Sequence, residues 1–80
     1  MERLTRRTPD GIEVSDPAAA LERLAQLEDL AETLLAEREQ FAQELDTLRL
    51  QGKTKTVRFR ELLTKKMTNR EMLSRFGISV

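Results

Sequence analysis

The sequence contains no cysteine, no histidine, no tryptophan and no tyrosine. Without cysteine there is no disulfide framework, and without cysteine and histidine the usual zinc ligand sets are excluded. The same absences remove the common nucleophile and base pairs of hydrolases, and no serine lies in a Gly-x-Ser-x-Gly setting. We therefore expect a chain that is not an enzyme and that binds no metal and no cofactor.

Long apolar runs are also missing, since no stretch of about 18 apolar residues and no signal-peptide core is present. We expect a cytoplasmic protein without a membrane partner. Its 80 residues make one domain at most, and a chain of this length buries a small core that commonly needs a further source of stability. With disulfides and zinc excluded, self-association is the source that remains.

Proline and glycine are scarce, and neither occurs between Pro17 and Gly52. This predicts one long helix within residues 16–52, with Asp16 as the N-cap, Pro17 at the first helical position and Gly52 just past the C-terminus. Apolar residues alternate at spacings of four and three, a heptad pattern with Leu24 at a and Leu27 at d. Further leucines at e and g widen the stripe, which favours a bundle over a bare two-stranded coiled coil. We predict an oligomer interface formed by Leu24, Leu27, Leu34, Arg38, Phe41, Leu45 and Leu48.

Arg38 interrupts this stripe at an a position. Its stem can pack while the guanidinium reaches water or a neighbouring glutamate. Alternatively, it can pair across an oligomer interface and set the register.

Residues 1–15 have the pattern of a β-hairpin. Thr8-Pro9-Asp10-Gly11 is a good type I turn, because proline suits its second position and glycine accepts a left-handed conformation. Ile12 and Val14 alternate with polar residues, as in a half-buried strand, and the facing strand would be Glu2 to Arg7 with Leu4 on the apolar face.

The segment after Gly52 is ambiguous. Alternation within residues 53–60 is typical of a short strand, whereas the spacing of the following apolar residues predicts a helix beginning between Val57 and Arg60. Thr68-Asn69-Arg70-Glu71 fits a capping box, which predicts a separate last helix from Asn69 to Phe76. The predicted fold is mainly α, a single domain over residues 1–80: a hairpin (1–15), a long helix (16–52), and a basic segment (53–80) with two short helices, closed as an oligomeric bundle.

The charges are segregated although the net charge is zero. Residues 17–51 carry eight acids against three bases, a net −5, and residues 52–80 carry eight bases against two acids, a net +6. The basic segment can therefore fold back on the acidic helix, attract the helix of another subunit, or present a basic surface to an anionic partner.

The basic segment is the candidate ligand site. Gly52-Lys53-Thr54 matches the end of a phosphate-binding loop, but the motif needs a glycine at position 47, where this sequence has Thr47. Nucleotide hydrolysis is therefore not expected, while phosphate binding without hydrolysis and a solvated basic connector both stay open. The candidate anion-binding residues are Lys53, Thr54, Lys55, Thr56, Arg58, Arg60 and Arg70.

Residues 68–79, TNREMLSRFGIS, resemble the first helix and turn of a helix-turn-helix. The chain ends at Val80, where the recognition helix of that motif would begin. A small DNA-binding regulator with a degenerate motif is thus an alternative function, and a purely structural oligomerisation module is another.

A wider resemblance covers most of the chain. MERLTRRTPDGI, ALERLAQLEDL and GKTKTVRFRELLTKKMTNREMLSRFGI are together similar to small uncharacterised proteins of prophages and mobile elements in Gram-positive bacteria. The resemblance implies a non-enzymatic, homo-oligomeric accessory protein, of a kind that includes counter-defence proteins and sponges for signalling nucleotides. We accordingly expect binding of an anionic ligand, such as a nucleotide or nucleic acid, or of an acidic partner.

Overall fold

The computed structural model describes residues 1–79. Its elements are two short strands and two helices: β1 Thr5–Thr8, β2 Gly11–Val14, α1 Pro17–Leu50 and α2 Val57–Arg75. The predicted mainly helical fold with an N-terminal hairpin is confirmed. The chain divides into two units, Met1–Leu30 and a second that begins at Ala31, and α1 contributes to both. Neither α1 nor α2 contains an apolar stretch of membrane-spanning length.

The first unit begins with the hairpin, in which β1 and β2 pair antiparallel with Thr8 opposite Gly11. Pro9 and Asp10 form the two-residue loop, and the Thr8 hydroxyl donates to the Gly11 carbonyl at 3.2 Å. Gly11 has a φ of +150°, a conformation that disfavours residues with a Cβ atom. The Ser15 N–H donates to the Leu4 carbonyl at 3.0 Å, so the pairing continues past the strands toward α1.

The predicted half-buried apolar face of this hairpin is wrong for β2. All four residues of β2 are exposed, with Ile12 at 58% and Val14 at 44% relative exposure. Leu4 is partly buried, as predicted, but it precedes β1, which starts at Thr5 rather than at Glu2. The alternation of apolar and polar residues in this segment therefore indicates a strand but not a buried face, because a two-stranded hairpin has no second layer of its own to cover one face.

Both predicted ends of α1 are confirmed. The Asp16 carboxylate accepts from the Ala19 N–H at 3.1 Å, which satisfies one of the free donors of the first turn. At the other end Gly52 has a φ of +70°. Its N–H donates to the Arg49 carbonyl at 3.0 Å, and the Lys53 N–H donates to the Leu48 carbonyl at 2.8 Å. This pair of bonds is the Schellman motif, which stops the helix and turns the chain.

Within residues 53–79 there is one helix, not the predicted two, and residues 53–60 form no strand. Thr56 is the N-cap of α2, and its hydroxyl accepts from the Phe59 N–H at 3.2 Å. Thr68 lies inside α2, so the predicted capping box is wrong. No glycine or proline interrupts residues 57–75, and buried or half-buried side chains recur at heptad spacing throughout. Continuous burial along this face outweighs one local cap of about 1 kcal/mol.

The second unit is an antiparallel pair formed by the C-terminal part of α1 and by α2. Its core cluster is Leu45, Phe59 and Leu62, against which Phe41, Leu48 and Leu63 pack. Leu34 and Leu73 are also buried, at 4% and 0% relative exposure. One face of α2 thus covers the heptad stripe of α1 from Leu34 to Leu48.

Candidate functional site

The first candidate surface is an apolar groove in the unit Met1–Leu30. It encloses about 530 Å³ and its lining is almost wholly apolar. α1 supplies one wall through Ala20, Leu24 and Leu27, while the N-terminal residues and the hairpin supply the other through Met1, Leu4 and Val14. We call this the N-terminal groove.

Exposed leucines recur along α1 in the wall of this groove and one turn beyond it. Leu21, Leu24, Leu27 and Leu30 have relative exposures of 68%, 52%, 45% and 43%. In the heptad of the sequence they occupy positions e, a, d and g, so they form one continuous band on the helix. We call these four residues the exposed leucine stripe.

Arg23 fixes one wall of the groove. Its Nη1 donates to the Glu2 carbonyl oxygen at 2.8 Å, which ties the N-terminal residues to α1. The Arg6–Glu13 ion pair spans the two strands of the hairpin, with both side chains largely exposed. The groove is therefore bounded by hydrogen-bonded chain on one side and by a helix on the other.

The structure divides the predicted oligomer interface into two groups. Leu34 and Leu45 are buried within the second unit, and Arg38, Phe41 and Leu48 are half-buried there. Only Leu24 and Leu27 keep substantial exposure. Sequence periodicity alone does not separate these groups, because a heptad stripe has the same pattern whether the chain's own helix or another copy covers it.

The second candidate surface is the basic segment, whose predicted ligand residues do not form a single site. Lys53, Thr54 and Lys55 are exposed in the turn between the helices. Thr56 is committed to the cap, since its hydroxyl also donates to the Lys53 carbonyl at 2.9 Å. Arg60 and Arg70 are both on α2, ten residues apart, or about 15 Å along the helix axis. One phosphate group cannot contact all of these side chains.

Arg58 has acidic partners within the chain. Its Nη2 lies 2.7 Å from Glu44 Oε2 on α1, and its Nη1 lies 4.0 Å from Glu61 Oε2 on α2. The Arg58–Glu44 pair joins basic α2 to acidic α1 inside the second unit, which is one of the attractions that the charge segregation predicts. Its side chains are about half exposed, so the pair contributes only about 0.2–1 kcal/mol.

Gly52-Lys53-Thr54 lies in a different context from that of a phosphate-binding loop. That motif connects a strand to a helix, whereas here Gly52 ends α1 and α2 begins only at Val57. The free backbone groups at Gly52 and Lys53 are used by the Schellman bonds to Arg49 and Leu48. The glycine therefore serves helix termination.

Sequence reasoning missed Asn69, which it placed at the start of a separate helix. Asn69 has 3% relative exposure, and its Nδ2 donates to the Leu34 carbonyl of α1 at 2.8 Å. Its Oδ1 is buried and has no hydrogen-bond partner among residues 1–79. Continuing the spacing of Phe59, Leu62 and Lys66 by three and then four residues reaches Asn69 and Leu73, so heptad continuity could have found it.

Comparisons of the chain with protein-family models, with curated proteins and with solved structures give no match.

Proposed function

We propose that this chain is a non-catalytic, homo-oligomeric accessory protein in which a second copy covers the exposed leucine stripe. The observation that carries the proposal is the N-terminal groove of about 530 Å³, whose helix wall includes three of the four residues of the exposed leucine stripe. Soluble monomers rarely expose contiguous apolar surface of this kind, and such surface commonly marks a protein interface.

The energetics of a small chain support the same proposal. Covering a half-exposed leucine contributes about 1 kcal/mol, and each copy offers four of them in one band. The core of the second unit is small, with Leu45, Phe59 and Leu62 at its centre. A chain of this size gains a large fraction of its stability if association buries further apolar surface.

The experiment is a thermal unfolding series over a hundredfold range of protein concentration. Association makes Tm rise with concentration, because the partner binds only the folded chain. Leu24→Glu places a charge in the middle of the stripe and should leave a lower Tm that no longer depends on concentration. Leu50→Glu is the matched control, since Leu50 is 90% exposed and lies outside the groove and the stripe.

A wild-type Tm that is constant over this range would overturn the proposal. So would an equal response of the Leu24→Glu and Leu50→Glu variants. Far-UV circular dichroism at 10 °C would verify that each variant retains its helices before melting.

Binding of an anionic ligand by the turn between the helices is a second candidate function. Lys53 and Lys55 are exposed and directly precede the N-terminus of α2, where the helix dipole adds positive potential. Neither side chain has an ion-pair or hydrogen-bond partner in the part of the chain that the structure describes. This arrangement favours a phosphate-bearing ligand such as a nucleotide.

Thermal shift against cyclic and linear nucleotides tests this candidate, followed by titration of a random DNA duplex at two salt concentrations. A nucleotide that raises Tm for the wild type, and for Lys65→Ala but not for Lys53→Ala/Lys55→Ala, would support a small-ligand site. Duplex binding that weakens steeply with salt would instead indicate contact with the phosphate backbone. A wild type that responds to neither would contradict the candidate.

The helix-turn-helix alternative stays a prediction. α2 ends at Arg75 and Gly77 follows with a φ of +78°, as the first helix and turn of that motif require, but no further helix follows α2 within residues 1–79. The mobile-element context that the sequence resemblance implies stays a prediction, and neither experiment above depends on it.

A further inference from the structure

The exposed leucine stripe also carries information on how a second copy is oriented. Leu24 at a and Leu27 at d form its centre, and both line the N-terminal groove. Arg23 at g and Glu28 at e flank this centre on opposite sides. Residues at e and g decide partner choice and orientation when two helices pair through a and d.

We infer that two copies pair in parallel through residues 20–30 of α1, with Arg23 of each copy beside Glu28 of the other. In a parallel pair a g residue faces the e residue five positions later on the partner helix, which matches Arg23 with Glu28. The two-fold symmetry of such a dimer creates this pair twice. The inference rests on the proposed function and adds the surface and the direction of pairing to it.

An antiparallel pair over the same residues is less favourable. In an antiparallel pair, g residues of one copy face g residues of the other, and e residues face e residues. Arg23 would then lie opposite Leu30 of the other copy, and Glu28 opposite its Leu21. Both charges would then face apolar side chains and lose solvent without gaining a partner. Parallel pairing avoids this cost and keeps the leucines together.

The side chains involved are available for the pairing. Glu28 is exposed and has no hydrogen-bond or ion-pair partner among residues 1–79. Arg23 uses Nη1 for the Glu2 carbonyl, and its guanidinium has further N–H donors. The same arginine can therefore hold the wall of the groove and bind the glutamate of a second copy.

Cysteine cross-linking tests the direction, because the natural chain contains no cysteine and every disulfide reports on an introduced residue. Under mild oxidation, Leu24→Cys and Leu27→Cys should each form disulfide-linked dimers by themselves, since a faces a and d faces d in a parallel pair. Glu22→Cys is the control, because position f points away from the seam and should remain monomeric on a denaturing gel.

The outcomes separate this inference from the proposed function. If disulfides form only when Leu24→Cys and Leu27→Cys chains are mixed, the copies pair antiparallel and the inference is wrong, while the proposed function stands. If neither variant forms disulfides although the wild type is dimeric, the stripe is not the interface, and both the inference and the proposed covering of the stripe are overturned. A wild type that sediments as a monomer overturns both.

Charge reversal provides an independent readout in the same dimer. Glu28→Lys turns two attractive contacts into repulsive ones and should weaken dimerisation about tenfold at low salt, with the difference fading at high salt. Glu22→Lys makes the same charge change at position f and should leave the dissociation constant within about twofold. Equal effects of the two variants would contradict the Arg23–Glu28 contact.

Discussion

Thr56 and Thr68 show how the same residue type acquires different roles in one chain. Both are followed by sequence that suits a helix start, and Thr68 has the more complete local signal because Glu71 occupies the third helical position. In the structure Thr56 is the cap and Thr68 lies within α2. Local capping signals compete with tertiary burial, and here burial along α2 decides the outcome.

We predict that Thr56→Ala lowers the free energy of unfolding by about 1 kcal/mol, because the Phe59 N–H loses its acceptor. Thr68→Ala is the matched control and should be neutral or slightly stabilising, since alanine is the better residue inside a helix. Urea unfolding followed by circular dichroism measures both. A larger loss for Thr68→Ala than for Thr56→Ala would show that the chain forms the separate last helix after all.

At the scale of the elements, the pairing of α1 with α2 contains one buried polar contact. Asn69 donates to the Leu34 carbonyl across the two helices, in a seam otherwise formed largely by Leu34, Leu45, Phe59, Leu62 and Leu73. A single asparagine in an apolar seam commonly fixes register at a cost in stability. The unpaired Oδ1 of Asn69 is consistent with such a cost.

Asn69→Asp should therefore destabilise the second unit by roughly 3 kcal/mol, because it removes the amide donor and buries a carboxylate without a partner. Asn69→Leu should keep or raise the stability, since the Leu34 carbonyl retains its partner within α1 and no amide oxygen remains buried. Chemical denaturation of both variants measures these changes. Equal stability of the Asp and Leu variants would contradict burial of this side chain.

Prediction from sequence succeeded where a local rule acts without competition. The ends of α1 were predicted correctly at Asp16, Pro17 and Gly52, because helix caps and left-handed glycines depend on a few neighbouring atoms. The Pro9-Asp10 loop of the hairpin follows from similar local rules. Prediction from sequence failed for the basic segment, where residues 57–75 form one continuous helix. Its buried face could be recognised only by extending the heptad spacing of Phe59 and Leu62 through Lys66 and Asn69. Polar residues at those positions concealed the continuity.

For the whole molecule, tertiary packing divides the residues that the sequence predicts at an oligomer interface. α2 buries Leu34 and Leu45 within the chain, whereas Leu24 and Leu27 stay exposed. The predicted anion-binding residues likewise do not form one site. Arg58 is paired with Glu44, and Arg70 lies on a distant turn of α2. Which part of a periodic or charged surface remains accessible depends on tertiary packing, which periodicity does not specify.

The central claim is that the exposed leucine stripe is covered by a second copy of the chain. Sedimentation equilibrium of the wild type at micromolar concentration tests it most directly. We predict a molar mass of twice the chain's 9.2 kDa, returning to the single-chain value in Leu24→Glu. A folded wild type with a molar mass of 9.2 kDa throughout the gradient would contradict the account.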